Sequence, residues 1–280
     1  MTRRVVLVSD STSVDADLAK RYDIAVVPLQ VAVDGRAHDE GVDIEPQQVA
    51  DALREGKRVS TSRPAPERFA EVYRAAVAAG AEGVVSIHLS SEVSGTYEAA
   101  LLAARQVEID VEVVDSRHLG MGTGFAVAAA ATALDDDASA AEAAEVARAR
   151  AAVTTGLFYV DTLEYLRRGG RVSLAAAFVG SALAVKPLLK IDNGRIVQLD
   201  KVRTSGRALV RLEELAVQAA GSAGVDLAVS HLDNQEHADT LAWRLRDRLP
   251  GAGEIVVNEV GAVIGAHAGP GIVAVVIAPS

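Results

Sequence analysis

Three polar clusters in this chain carry side chains able to hold an anion: Thr61-Ser62, Ser94-Gly95-Thr96 and Gly265-Ala266-His267-Ala268-Gly269-Pro270-Gly271. The second lies in Ser90-Ser91-Glu92-Val93-Ser94-Gly95-Thr96-Tyr97, after an apolar run at 83–89 that reads as a buried strand. An Ala- and Leu-rich segment at 98–107 follows and reads as a helix. Hydroxyls at such a turn stand beside unpaired backbone N–H groups, which suits a bound anion. The plainer alternative is that Ser94 or Thr96 only caps the helix. His267, framed by glycines and a proline in a loop, can supply a hydrogen-bond donor or a positive charge. Hydroxyls plus one imidazole are adequate for a carboxylate and thin for a triphosphate.

Other chemistries fail on specific residues. No G-x-x-x-x-G-K-[ST] loop is present, which argues against a P-loop nucleotide site. Gly120-Met121-Gly122-Thr123-Gly124 lacks dinucleotide-fingerprint spacing and reads as a helix start. A G-x-S-x-G elbow is absent, because Glu92 stands two before Ser94. A Ser94 nucleophile with His267 as base remains an alternative, an acyl hydrolase. Asp39, Glu40 and Asp43 have no metal-ligand spacing and read as a solvated loop. With no cysteine, thiolate metal sites and disulfides are excluded, and a reducing compartment fits. Arg167, Arg168, Arg171, Lys186, Lys190, Lys201 and Arg203 read first as a solvated face. Their functional reading is a patch for a phosphorylated group or an acidic partner.

The elements that would position these groups follow from the apolar pattern. The 280 residues are 50% hydrophobic but only 4% aromatic, so the core must be Val, Leu, Ile and Ala. A net charge of -10 disfavours a nucleic-acid backbone or an anionic membrane as main partner. The first apolar run stops at Val8, too short for a signal-peptide core, so a cytoplasmic protein without stable membrane insertion is expected. Short apolar strands alternate with helices over the first 150-odd residues, predicting a parallel, doubly wound sheet. The two prolines at 64 and 66 hold the 59–66 segment as an extended, hydroxyl-rich loop. Beyond residue 156 the pattern changes. A helix is expected at 174–183, and Asp192-Asn193-Gly194 between strands at 185–191 and 196–202 signals an antiparallel hairpin. The second half therefore reads as a smaller α+β unit on a mixed sheet.

With these residues collected, the chain resembles the DegV family of bacterial fatty-acid-binding proteins, the FakB subunits of fatty acid kinase, over essentially its whole length. The resemblance rests on Ser9-Asp10-Ser11, Thr61-Ser62-Arg63-Pro64, the Ser90–Tyr97 stretch quoted above, and Val114-Asp115-Ser116. It continues through Leu166-Arg167-Arg168-Gly169-Gly170-Arg171, Lys201-Val202-Arg203-Thr204 and the His267 segment. It implies an α/β fold: a Rossmann-like three-layer parallel-sheet domain, 1–155, then a smaller two-layer α/β domain with a mixed sheet, 156–280. One long-chain fatty acid is implied in an enclosed apolar tunnel between them. Its carboxylate would be held by Thr61 or Ser62, by Ser94 with Gly95 and Thr96 of the same loop, and by His267. Arg171 is implied to support that network, and Arg203 to handle the phosphorylated product and dock a separate ATP-dependent kinase. The resemblance thus implies a carrier without turnover of its own and without metal or nucleotide cofactor, delivering acyl phosphate towards phospholipid synthesis. Departures are Ser9 where Thr is usual, Arg63 where Gln is usual, and Ala268 where Thr is common. A sugar-type binder related to dihydroxyacetone kinases would keep the fold and exchange the tail site.

Overall fold

The structure, a computed structural model, describes residues 4–172, 185–222 and 224–279. The helix expected at 174–183 lies outside the described residues. In the first half, β1 (Val5–Asp10) pairs in parallel with β2 (Ile24–Val27) and with β6 (Gly83–His88). β7 (Val111–Asp115) completes the order β2-β1-β6-β7. Successive residues face opposite sides. Leu7, Val85, Ile87 and Val114 pack on α5 (Met121–Asp135) and α6 (Ala140–Val153). Val8, Val27, Val84 and Val113 pack on α3 (Pro66–Ala78) and α4 (Thr96–Ala104). Burial on both faces is why these strands read as unbroken apolar runs.

Between β2 and β6 the chain forms a second, small sheet. β3 (Gln30–Val33) pairs antiparallel with both β4 (Arg36–Asp39) and β5 (Val59–Ser62). The β3–β4 hairpin turns at Asp34-Gly35, both at positive φ, as expected of a tight primed turn. β5 corrects the loop expected there: Val59, Ser60, Thr61 and Ser62 pair with Val33, Ala32, Val31 and Gln30, so the ladder, not the prolines alone, holds it extended. α1 (Ala16–Tyr22) packs on β2 and α5, and α2 (Pro46–Arg54) packs on β5.

The second half is built on six strands in the order β10-β9-β8-β13-β11-β12. These are β8 (Thr155–Tyr159), β9 (Lys186–Asp192), β10 (Arg195–Val202), β11 (Val225–His231), β12 (Ala252–Glu259) and β13 (Val273–Pro279). Only the β11–β12 pair is parallel, so the sheet is mixed as expected. Leu157, Tyr159, Leu227, Val229, Val273 and Val275 pack one face against α8 (Ser205–Ala220) and α9 (Gln235–Arg248). Alternate positions, including Phe158, Ala274 and Val276, point from the opposite face towards the first half. α7 (Glu164–Arg168) follows β8, and α10 (Ala262–Ala268) packs on α2, α7, β3 and β5. Among the described residues no helix is long and apolar enough to cross a membrane.

Candidate functional site

A cavity of about 240 Å³ lies on that inward face of the six-stranded sheet. Its floor is small and apolar, with Gly156, Ala274 and Val276, while Phe158, Ile191 and Ile196 form one wall. Leu89, Leu119, Met121, Val263 and Ile264 close it from the other half and from α10. Thr61, Ser62, Arg63, Ser94, Gly95, Arg171 and His267 give the same cavity a polar portion. No carboxylate stands among the described lining residues, so the wall carries two guanidiniums and no negative charge.

Each polar residue has a local reason for its place. Thr61 lies on β5, and its Oγ1 is hydrogen-bonded to His267 Nε2 at 2.8 Å across 206 positions of sequence. Ser94 ends the turn after β6, and its Oγ lies 2.9 Å from Thr96 Oγ1. Gly95 is the N-cap residue of α4 without any side-chain cap bond, so neither hydroxyl does the capping that the plainer reading assigns to it. Arg63 lies against Gly95; a Cβ there would stand 2.8 Å from Arg63 Cδ, so a larger residue would push this exposed side chain aside. Arg171 turns inward, its Nε donating to Val93 O at 3.0 Å and its Nη1 to Gly169 O at 2.5 Å. It thereby ties the end of α7 to the Ser94 turn. Ser62 is exposed and donates to Gln30 Oε1 at 3.4 Å.

His267 sits in the last turn of α10, not in a loop as expected. The helix forms because its buried residues Ala262, Val263 and Ala266 pack with Val49, Leu53 and Val31. Its N-terminal end is held from outside by Glu40, whose Oε1 accepts Val263 N at 2.7 Å. Burial, helped by the nearby Arg171 charge, pushes the His267 imidazole down to about 4, so at neutral pH it is an uncharged hydrogen-bonding group. Positive charge at the cavity comes from Arg63 and Arg171 and not from His267.

Glu40 corrects a second expectation. With Asp39 and Asp43 it reads as solvated, yet it is 5% exposed. Its Oε2 accepts Ser11 Oγ at 2.5 Å, and burial pushes its carboxyl up to about 7 against the two hydrogen bonds it receives. Asp39 instead pairs with Arg68 and Gln30, and Asp43 accepts the Asp39 N–H. A buried chain also braces the β6 end: Tyr73 donates to Ser86 Oγ, which bonds His88 Nε2, and His88 Nδ1 bonds Asp10 Oδ2. Asp10 further accepts Leu89 N, fixing where the Ser90 turn begins. Sequence reasoning missed this support. Its only signal was polar residues at 86 and 88 within a strand otherwise apolar on both faces.

Not every expected residue converges. Thr96 is fully buried behind Ser94 and does not line the cavity. Arg203 is exposed at the start of α8, also outside the lining. Several of the other basic positions are locally neutralised: Arg168 by Glu164, Lys186 by Asp161 and Lys190 by Asp192. Ser94 and His267 share the cavity, but each bonds a threonine, and the Ser–His bond a hydrolase needs is not formed.

The described residues thus form an α/β protein of three sheets, with an apolar chamber that carries a hydroxyl–imidazole–guanidinium portion. The family model described as "Uncharacterised protein, DegV family" matches residues 4–280. The chain belongs to the DegV family. It is 50% identical over 278 residues to a DegV domain-containing protein of Streptomyces coelicolor, covering 99% of each. Among solved structures it is similar to a DegV family protein from Thermus thermophilus described for fatty acid binding, with a TM-score of 0.93, 32% identity and 100% of both chains covered. It is likewise similar to DegV, a fatty acid binding protein from Bacillus subtilis, with a TM-score of 0.90, 30% identity and 100% of both chains covered.

Proposed function

We propose that this protein binds one long-chain fatty acid in the cavity, its carboxylate at Thr61, Ser94 and His267, with Ser62, Gly95 and Thr96 shaping the grip and Arg171 bracing it. The observation that carries the reading is the division of a single chamber into an apolar body and a polar portion whose described residues carry positive charge and no negative charge. A C16 tail has about 14 methylenes worth roughly 0.8 kcal/mol each when buried, on the order of 11 kcal/mol gross. A contact to the head group contributes about 0.3–2 kcal/mol, mostly offset by desolvation. The tail therefore sets affinity and the head group sets orientation.

On the same reading the protein is a cytoplasmic, FakB-type carrier. It presents the carboxylate to a separate ATP-dependent kinase, with Arg203 on the docking side, and releases acyl phosphate to phospholipid synthesis. Residues 1–155 and 156–280 act as two domains that close on the ligand. Fatty-acid binding by the Thermus and Bacillus proteins supports the ligand class. Native mass spectrometry of protein purified from cells should show one fatty-acid mass per chain. Ligand-free protein that takes up neither palmitate nor oleate would refute the reading. Incubation with an acyl ester should give neither turnover nor adduct, whereas a Ser94-acylated chain would establish the hydrolase instead.

A further inference from the structure

A second cavity of about 420 Å³ lies beside the first, and Gly120, Met121, Ser230, Val260 and Ile264 line both. These residues form a shared partition. α10 gives the direction across it. His267, in its last turn, faces the first cavity, Ile264 stands at the partition one turn earlier, and Gly261 and Ala262 at its start line the second cavity. Met121 is the most adaptable member of the partition, an unbranched side chain that repacks readily. Its sulfur lies back over α5, 3.2 Å from where a Cβ on Gly124 would stand.

The second cavity has an apolar track of Val26, Pro28, Val42 and Pro46. Val42 is 72% exposed, a large apolar side chain left uncovered at this cavity. The remaining wall carries Asp15, Glu40, Glu45 and Glu259 and, among the described residues, no cation. The first cavity carries Arg63 and Arg171 and, among the described residues, no acid. An amphiphile spanning both is therefore polarised: its carboxylate is attracted to the first cavity and repelled from the second, where only its hydrocarbon end is acceptable.

We propose that Met121 and Ile264 form a yielding partition through which acyl chains too long for the first cavity extend into the second, so that these two residues set the upper limit of chain length. The inference rests on the fatty-acid reading above. The ligands it adds are saturated or singly unsaturated monocarboxylic acids of C20 and longer.

Wild-type protein, Met121→Ala and Ala16→Trp are stripped of lipid and titrated with palmitic (C16) and docosanoic (C22) acids. Met121→Ala opens the partition, and the affinity for C22 relative to C16 should rise about tenfold, equal to about 1.4 kcal/mol. Ala16 is exposed at the first position of α1 and lines only the second cavity, so Ala16→Trp fills that cavity from outside. It should weaken C22 about tenfold and leave C16 unchanged. If Met121→Ala does not fold, Ala16→Trp alone decides. A C22-to-C16 ratio the same in Ala16→Trp as in wild type, or wild-type protein that binds C16 and rejects C22, overturns the proposal while leaving the fatty-acid reading intact. Failure of wild type to bind either acid overturns both.

Discussion

Glu40 and His267 stand at opposite ends of α10 and are displaced in opposite directions, and a stability measurement against pH can separate them. Glu40 titrates at about 7 in the folded chain against an ordinary value of 4.5. Between those values the folded protein holds a proton that the unfolded chain has lost, so this group's contribution falls as pH rises. A shift of that size corresponds to about 3 kcal/mol, present below pH 4.5 and lost through pH 7. His267 titrates at about 4 against 6.5. Here the unfolded chain holds the extra proton, so stability rises with pH across that window, again by about 3 kcal/mol. The two slopes oppose each other over their common range and nearly cancel. Glu40→Gln keeps an acceptor for Val263 N and removes the titration. Its stability relative to wild type should therefore increase by about 3 kcal/mol between roughly pH 4 and 8. His267→Gln should change in the opposite sense as pH rises, and the double variant should run parallel to wild type. Urea unfolding at a series of pH values reads all four curves, and groups common to the proteins drop out of the differences. A Glu40→Gln difference that stays constant within about 1 kcal/mol over that range would refute the claim that a buried carboxyl anchors α10.

Other consequences follow from single contacts. Gly169 has ordinary helical φ, but a Cβ there runs into the His267 ring; Gly169→Ala should displace the imidazole, lower stability by about 1–3 kcal/mol in urea unfolding and, like His267→Ala, reduce kinase-dependent phosphorylation more than palmitate binding. Arg171→Met removes the charge that helps depress His267, so the imidazole should titrate above about 4, towards its ordinary 6.5, in an NMR titration. Tyr73→Phe deletes the 2.8 Å bond to Ser86 inside the α3 layer and should cost about 1 kcal/mol of stability with fatty-acid affinity unaltered. Ser94→Ala or His267→Ala should reduce kinase-dependent phosphorylation more than fatty-acid binding, because the head group orients and the tail holds; equal losses would overturn that division.

What could be read from sequence was what each residue's neighbours in the chain determine. β1, β2, β6 and β7 announce themselves because both faces of each are buried, and the Asp34-Gly35 and Asn193-Gly194 turns because tight hairpins need positive φ at both residues. Thr61, Ser94 and His267 were legible as chemistry, and they do line one chamber. β5 was not legible: Val-Ser-Thr-Ser has no apolar alternation, and it is a strand because β3 supplies its ladder. α10 was lost for a related reason. Its glycines argue for a loop, and the group that holds its first turn is Glu40, 223 positions away. That same residue reads as solvated in sequence because its neighbours are Asp39, Gly41 and Asp43. One long-range hydrogen bond thus accounts for both errors, and it connects them: an acid that looks exposed is buried because it terminates the helix that carries the imidazole. The charge state at the site depends on the same folding. An isolated histidine suggests a cation at mildly acid pH, but burial neutralises His267 and leaves the positive charge to Arg63 and Arg171. A neutral imidazole between a threonine and two guanidiniums still orients a carboxylate, while the arginines supply the attraction that an imidazolium would have provided.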